Sequence, residues 1–410
     1  MGNSKCSGDL VVKYVVEKIT KKIHLLRLDD DETKYFEGVW YIPEGVTYNS
    51  YLITTSEGVV VVDGWKIGYE DLFLEVVRSI ADPRDISYIV VNHAEPDHSG
   101  TVKSLHMQAE KATIVGHRVA IQLLQSFYGI NERLKHVEDG ETLKISREEQ
   151  LVFYHTPWLH WPDTMITYHA GEKALFSCDV FGSYGIPSKV FYEDLTSEEK
   201  RLITHYSKKY FVNIIAKYAD WVIKALDKLS SLNIDVNIVA PGHGPLYKSL
   251  AHVVPLYREL GSKKPVKGKV VLVYTTMYGF VREAFDIIKE ELSRRGVEVV
   301  VWEFSDRYHP PISEVLVDLY EAEVVVIGSA TYDADLFPLG KLIAEVMKMK
   351  THSLGKKVAI VAAAGWGPVA GSKLRALLVE RGFNVVDIVE FKGRAKNVES
   401  KLRELVSKLV

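Results

Sequence analysis

From Lys269 onward, apolar runs and helical patterns alternate without a break. The runs Lys269–Tyr274, Val297–Val301, Glu323–Gly328, Lys357–Ala362 and Asn384–Val389 are short and rich in β-branched residues. Helical spacing fills Val281–Arg294, Leu336–Met349 and Lys373–Arg381. A strand-length run with no polar face must be buried on both sides, as in a parallel sheet covered by helices. Five such strands alternating with helices predict a doubly wound, parallel five-stranded sheet.

The preceding residues read differently. Tyr48–Thr55 and Val59–Val62 predict paired strands around Ser56-Glu57-Gly58, and Glu70–Ile80 has helical spacing. Tyr88–Asn92 is a buried-strand run that ends at His93, and Leu151–Tyr154, Met165–Tyr168, Ala174–Ser177 and Val236–Ala240 are further short strands. Tyr210–Leu229 predicts one long amphipathic helix. Mixed hairpins and helices of this kind imply a layered α/β domain. The polar stretch from Gly261 to Gly268 reads as a linker. It divides the 410 residues into domains 1–262 and 263–410, each long enough to bury an ordinary core. Met1–Ser7 reads as a frayed end.

Charge and composition exclude several classes. Lys plus Arg is 51 and Asp plus Glu is 54, so the net charge is −3, without the basic field of a nucleic-acid binder. No apolar run approaches the ~20 residues of a membrane helix, and the N-terminus lacks the apolar core of a secretory signal. Only Cys6 and Cys178 occur, which gives no disulfide framework and fits a cytoplasmic, reducing compartment. Four glutamines beside many Lys, Arg and Glu lean thermophilic. Redox or metal chemistry here must rest on His, Asp, Glu or a bound cofactor.

One stretch carries such chemistry. His93-Ala94-Glu95-Pro96-Asp97-His98 follows a strand and precedes a helical pattern, so four ligand side chains in six residues can enter one cavity. His160, Asp179 and His243 come later, the last two just after strands, where rigid scaffolds mount functional groups. A single histidine, or the turn Pro241-Gly242-His243-Gly244-Pro245 alone, is ordinarily a surface or core feature. Seven such residues, in order and in these contexts, point to a metal site. Trp158, Trp161 and Tyr184 are candidate wall residues, and Asp163 is a candidate to orient a ligand.

The C-terminal half has three loops at the ends of successive parallel strands. The first is Thr275-Thr276-Met277-Tyr278-Gly279-Phe280, with hydroxyls, a glycine and a helix start that suit a phosphate. The second is Ser329-Ala330-Thr331-Tyr332-Asp333 and the third Ala363-Ala364-Gly365-Trp366-Gly367-Pro368. Tyr332 and Trp366 can flank a planar ring. No GxGxxG follows the first strand, so a dinucleotide is disfavoured.

Together these residues resemble the flavodiiron proteins: a metallo-β-lactamase-like αββα sandwich followed by a flavodoxin-like domain. Hydrolases of the first fold carry His-x-His-x-Asp-His, whereas Glu95 stands here in place of the second His. An added carboxylate makes the site harder and more anionic, which suits iron better than hydrolytic zinc. The resemblance implies two irons, one held by His93, Glu95 and His160, the other by Asp97, His98 and His243, with Asp179 bridging both. It implies FMN in the three loops, rubredoxin or a similar small protein as electron donor, and reduction of O2 to water, of NO to N2O, or of both. It further implies a head-to-tail homodimer or a dimer of dimers. Two departures stand out. Phosphate loops of flavodoxins usually continue after the glycine with a small residue and a Ser or Thr, where this chain has Phe280 and Val281; Pro368 also stands where such loops often have glycine. The other classes open to these residues are a binuclear zinc hydrolase with an accessory flavodoxin-like domain and a non-catalytic O2 or NO sensor.

Overall fold

Each N-terminal strand carries an apolar face that needs a partner, and the strands sort into two sheets that supply it. The computed structural model describes residues 3–7 and 10–410, with side chains from Lys13 onward. The chain divides into two units, Met1–Gly261 and Ser262–Val410.

In the first unit, one sheet runs in sequence order: β1 (Asn3–Ser7), β2 (Leu10–Lys18), β3 (Ile23–Asp30), β4 (Val46–Thr54), β5 (Val59–Val62), β6 (Ile86–Val91), β7 (Thr113–Gly116) and β8 (Leu134–His136). Pairing is antiparallel from β1 to β5 and parallel from β5 to β8. The second sheet holds β9 (Thr142–Lys144), β10 (Gln150–His155), β11 (Met165–His169), β12 (Ala174–Cys178) and β13 (Ile238–Pro241), antiparallel except for the last pair. Alternate residues of both sheets meet in one core: Ile23 and Leu25, Tyr51 and Ile53, and Val60 and Val62 face Leu151, Phe153 and Phe176. All four residues of β5 are buried, so neither face of this strand meets solvent. Residues 3–7 are not frayed: they add an edge strand to β2. The Cys6 side chain lies outside the described residues.

The helix expected over Tyr210–Leu229 is broken. A helix Ser197–Tyr210 starts at a capping box of Thr196 and Glu199, then widens into a π turn over Phe211–Ile215 and a tight turn over Ala216–Tyr218. A second helix, Ala219–Ser231, follows. All five residues of the π turn are buried, so the stretch has no polar face. Asn213 also donates its side-chain amide to the Lys209 carbonyl (2.7 Å), and a side chain inserted into the ladder distorts a helix.

The second unit holds β14 (Val270–Thr275), β15 (Val299–Phe304), β16 (Val324–Tyr332), β17 (Lys357–Ala364) and β18 (Asn384–Lys392), all parallel, in the order β15-β14-β16-β17-β18. The winding reverses between β14 and β16, which is where open α/β sheets take ligands. A two-residue strand, Asp335–Leu336, adds antiparallel to the end of β16. Helices Phe280–Arg294 and Glu399–Leu409 pack on one face through Phe285, Ile288, Leu402 and Leu405. The alternate positions Val271, Val273, Val325 and Ile327 are equally buried. Val266 N–H donates to the Glu321 carbonyl (2.8 Å), so the polar stretch after Gly261 is tied into this unit.

Gly328 on β16 lets this core close. A Cβ there would lie 2.2 Å from a ring carbon of Phe285, whose ring stacks on Tyr274 at 4.2 Å. Gly328→Ala is expected to cost about 1–3 kcal/mol by overpacking. Denaturant unfolding checks this, and adding Phe285→Leu recovers part of the loss.

Candidate functional site

The His93 segment is placed by the residue before it. Asn92, at the end of β6, donates its backbone N–H to Asp63 Oδ1 (2.7 Å) and its side-chain amide to Asp63 Oδ2 (2.9 Å). Its side-chain oxygen accepts from Thr167 of the second sheet (2.6 Å), and its carbonyl accepts from Met165 N–H (3.0 Å). Both sheets are thus pinned where the ligand loop leaves. Pro96 then opens the short helix Pro96–Ser99, and the Ser99 hydroxyl donates back to the Ala94 carbonyl (2.7 Å).

The other ligands come from the second sheet and its loops. Asp179 follows β12, and His243 follows β13. The His243 turn is held by Asn49, whose side-chain amide donates to the carbonyls of Pro241 (2.9 Å) and Gly244 (3.0 Å). Gly242 must be glycine, since a Cβ there would sit 2.6 Å from the His98 ring.

All seven predicted side chains converge. His93, Glu95, His160 and Asp179 offer ligand atoms within 4.8 Å of one another, as do Asp97, His98 and His243. Asp179 divides its oxygens between them. Oδ2 lies 3.4 Å from His93 Nε2 and 3.6 Å from His160 Nε2, while Oδ1 lies 2.9 Å from His98 Nε2 and 3.4 Å from His243 Nε2. Glu95 Oε2 sits 3.1 Å from His93 Nε2 and 2.8 Å from His160 Nε2. Asp97 Oδ2 is 3.4 Å from His243 Nε2.

Hydrogen bonds on the far side of two rings fix how they point. Asp163 takes the Nδ1–H of His93 at 3.1 Å and the Ala94 N–H at 2.8 Å. His243 Nδ1 donates to the Thr47 carbonyl (2.7 Å). Nε2 of each ring is left to face the cluster, the usual arrangement of a metal-binding imidazole. Asp97 Oδ1, Asp179 Oδ2 and His243 Nε2 are buried with no hydrogen-bond partner among the described residues. Buried polar atoms are rarely left so, and a cation would satisfy all three.

The electrostatics agree. Burial alone would lower the His243 pKa, but Asp179 and Asp97 beside it push it up to about 10. Burial alone would raise Asp179, yet His98, His243 and His93 hold it well below the usual carboxylate range. Glu95 is held low in the same way by His160 and His93. Carboxylates stay charged here by keeping protons on the imidazoles. Cations can take the place of those protons, so metal binding releases them.

Aromatic rings wall the cluster. Trp161 lies edge-on to His93 (5.1 Å), whereas Trp158 packs on Tyr218 (5.4 Å). Tyr184 is fully buried against Phe36 and Tyr210. Sequence reasoning missed Phe36 and Tyr48, edge-on to His243 at 5.7 and 5.6 Å, and Tyr210, whose hydroxyl donates to Asp179 Oδ1 (2.8 Å). Aromatic residues so far from the ligands in sequence carry no signal of their role. Cys178 also belongs here: with His98 and Asp179 it forms a third, overlapping group.

In the second unit the three loops meet at the carboxyl ends of β14, β16 and β17. They enclose a cleft of about 500 Å³, within the size range of cofactor sites. Thr276, Met277, Tyr278 and Phe280 line it from the first loop, Ala330, Thr331, Tyr332 and Asp333 from the second, and Ala364, Gly365 and Trp366 from the third. Thr275 and Ser329 lie beneath, buried and bonded hydroxyl to hydroxyl at 3.0 Å. Gly279, at φ +86°, turns the chain into its helix, with its N–H donated to Thr276 Oγ1 (3.1 Å). Gly367 lies beyond the lining. Gly393, after β18, joins the lining and was not foreseen. Tyr278 and Trp366 are 85% and 69% exposed, so their rings are available to a planar ligand.

Comparison with known proteins places these features. Residues 46–244 match a family model described as ODP family beta lactamase. A structure of a flavo di-iron protein variant from Thermotoga maritima is 35% identical, covers 97% of this chain and 98% of its own, and has a TM-score of 0.90. The rubredoxin oxygen:oxidoreductase of Desulfovibrio gigas is 25% identical over 96% of this chain and 98% of its own, also with a TM-score of 0.90. The anaerobic nitric oxide reductase flavorubredoxin of Salmonella arizonae is 28% identical over 90% of this chain and 76% of its own. With the metallo-β-lactamase-like and flavodoxin-like folds in this order and a full-length relative above 30% identity, the chain belongs to the flavodiiron protein family.

Proposed function

We propose that this protein reduces O2 to water, NO to N2O, or both, in the cytoplasm, taking electrons from a rubredoxin-like donor through FMN to a diiron site. One observation carries the reading: the two oxygens of Asp179 face two separate sets of ligands. His93, Glu95 and His160 would hold one iron, Asp97, His98 and His243 the other, and Asp179 would join them. The names of the Desulfovibrio and Salmonella relatives support the substrates.

When bound, the irons and FMN supply the gas binding and electron transfer that side chains cannot. The chain's own residues position and insulate. Asp163 and the Thr47 carbonyl orient His93 and His243. The Tyr210 hydroxyl donates to Asp179 Oδ1 and keeps that carboxylate in place. Phe36, Tyr48, Trp161 and Tyr184 exclude water from the cluster, which strengthens every charge interaction inside. In the flavin cleft, Tyr332 and Trp366 would hold the ring, and the amides at the start of helix Phe280–Arg294 would hold the phosphate. The metal cluster and the cleft belong to different units of the chain. The working form in this reading is a two-fold homodimer, or a pair of such dimers, in which the FMN of one subunit serves the diiron site of the other, head to tail.

Asp179→Ala is expected to lose metal and gas reduction while keeping FMN. Iron content, flavin absorbance and turnover on the same sample check this, and retained turnover would refute the bridging role. Asp163→Asn is expected to weaken metal binding about 10–100-fold, as removal of a ligand-orienting partner typically does; competition with a chelator measures it. Metal analysis of the purified protein separates the hydrolase: stoichiometric zinc with hydrolytic turnover favours it, and iron with repeated gas reduction favours the reductase. A single oxidation of the reduced protein without further turnover favours the sensor.

A further inference from the structure

The flavin cleft is well furnished at one end and poorly at the other. Tyr278, Phe280, Tyr332 and Trp366 give it four aromatic side chains. Among the described residues that line it there is no Lys or Arg, and Asp333 is the one charged side chain. The nearest arginines of the first helix and of the loop after β18 are already engaged: Arg282 Nε donates to Glu303 (2.7 Å) and Arg394 Nε to Glu283 (2.9 Å).

The phosphate end therefore depends on neutral donors, backbone amides and hydroxyls. Glu283 N–H already bonds the Gly279 carbonyl (2.9 Å), so the amides of residues 280–282 are those left at the helix start. The Thr275 hydroxyl is buried and committed to Ser329. Thr276 and Tyr278 bring the first loop's hydroxyls to the lining, and the Tyr278 side chain is largely exposed. The next two side chains are Phe280, whose ring occupies the lining, and Val281, which is buried. A phosphate dianion is held tightly by several charge-assisted donors at once. A helix start alone is worth about two- to fivefold in affinity.

We propose that this cleft selects its flavin by the isoalloxazine ring and not by the phosphate, so that riboflavin binds within about tenfold of FMN. The inference rests on the flavin reading above and deepens it: Phe280 and Val281 are the residues that set the preference. Each side-chain hydroxyl restored to a phosphate is worth about tenfold.

The test uses the full-length protein stripped of flavin and titrated with FMN and with riboflavin, followed by quenching of flavin fluorescence. An FMN advantage below about tenfold is expected, and a larger one overturns the proposal. In Val281→Thr, which leaves the four aromatic side chains in place, the FMN advantage should widen by about tenfold while riboflavin affinity changes little; an unchanged ratio also overturns it. If neither flavin binds the original protein, the flavin reading itself falls, an outcome distinct from tight binding of FMN alone.

Discussion

Four imidazoles and three carboxylates occupy one buried volume, and the Asp179 carboxylate between them makes that arrangement possible. Buried charges are costly unless they are paired. Asp179 gives each half of the cluster one oxygen, adding to the Glu95 carboxylate on one side and the Asp97 carboxylate on the other. The surroundings serve this arrangement. Asn92 fastens the two sheets beside His93, Asn49 fastens the His243 turn, and Gly242 leaves space for the His98 ring. Asp63 carries part of the load, since burial raises its pKa to about 6 against the opposing pull of His98 and Asn92.

Much of this was legible in the sequence because the ligands sit where strands end. Apolar runs predict strands, strand ends predict loops, and a loop with four ligand residues in six needs little else. The same reasoning found the three loops of the second unit, since strand and helix alternate there with no competing pattern. What stayed hidden lies between elements distant in sequence. Tyr210 reaches Asp179 from a helix, and Tyr48 and Phe36 reach His243 from the first sheet and the short hairpin before it. Nothing local marks those aromatics as different from core residues. The break after Tyr210 was hidden for another reason. Amphipathic spacing continues on both sides of it, and periodicity cannot weigh a side chain such as Asn213 that bonds to the helix backbone.

The two units illustrate two ways of building a site. In the first, polar atoms are oriented before any ligand arrives, by hydrogen bonds that leave His93 and His243 a single nitrogen each to offer. In the second, the chain supplies shape and aromatic surface, while its hydroxyls serve the fold: Thr275 and Ser329 bond to each other, and Thr331 accepts from the amides of Val369 and Ala370. The first arrangement fixes its donor atoms, and the second offers a cleft whose walls are largely aromatic.

The π turn over Phe211–Ile215 has a consequence for how this helix came to carry Tyr210. A π turn holds about one residue more than the α turn it replaces, and one residue corresponds to about 100° of rotation. The tight turn over Ala216–Tyr218 that follows takes back part of that rotation, so the two turns together set how the flanking helices face. The pair works as a phase adjuster: Ala219–Ser231 keeps its apolar side on the core, while Ser197–Tyr210 is turned to bring a phenol onto Asp179. Removing a single residue there would leave both helices intact and aim the wrong side chain at the cluster.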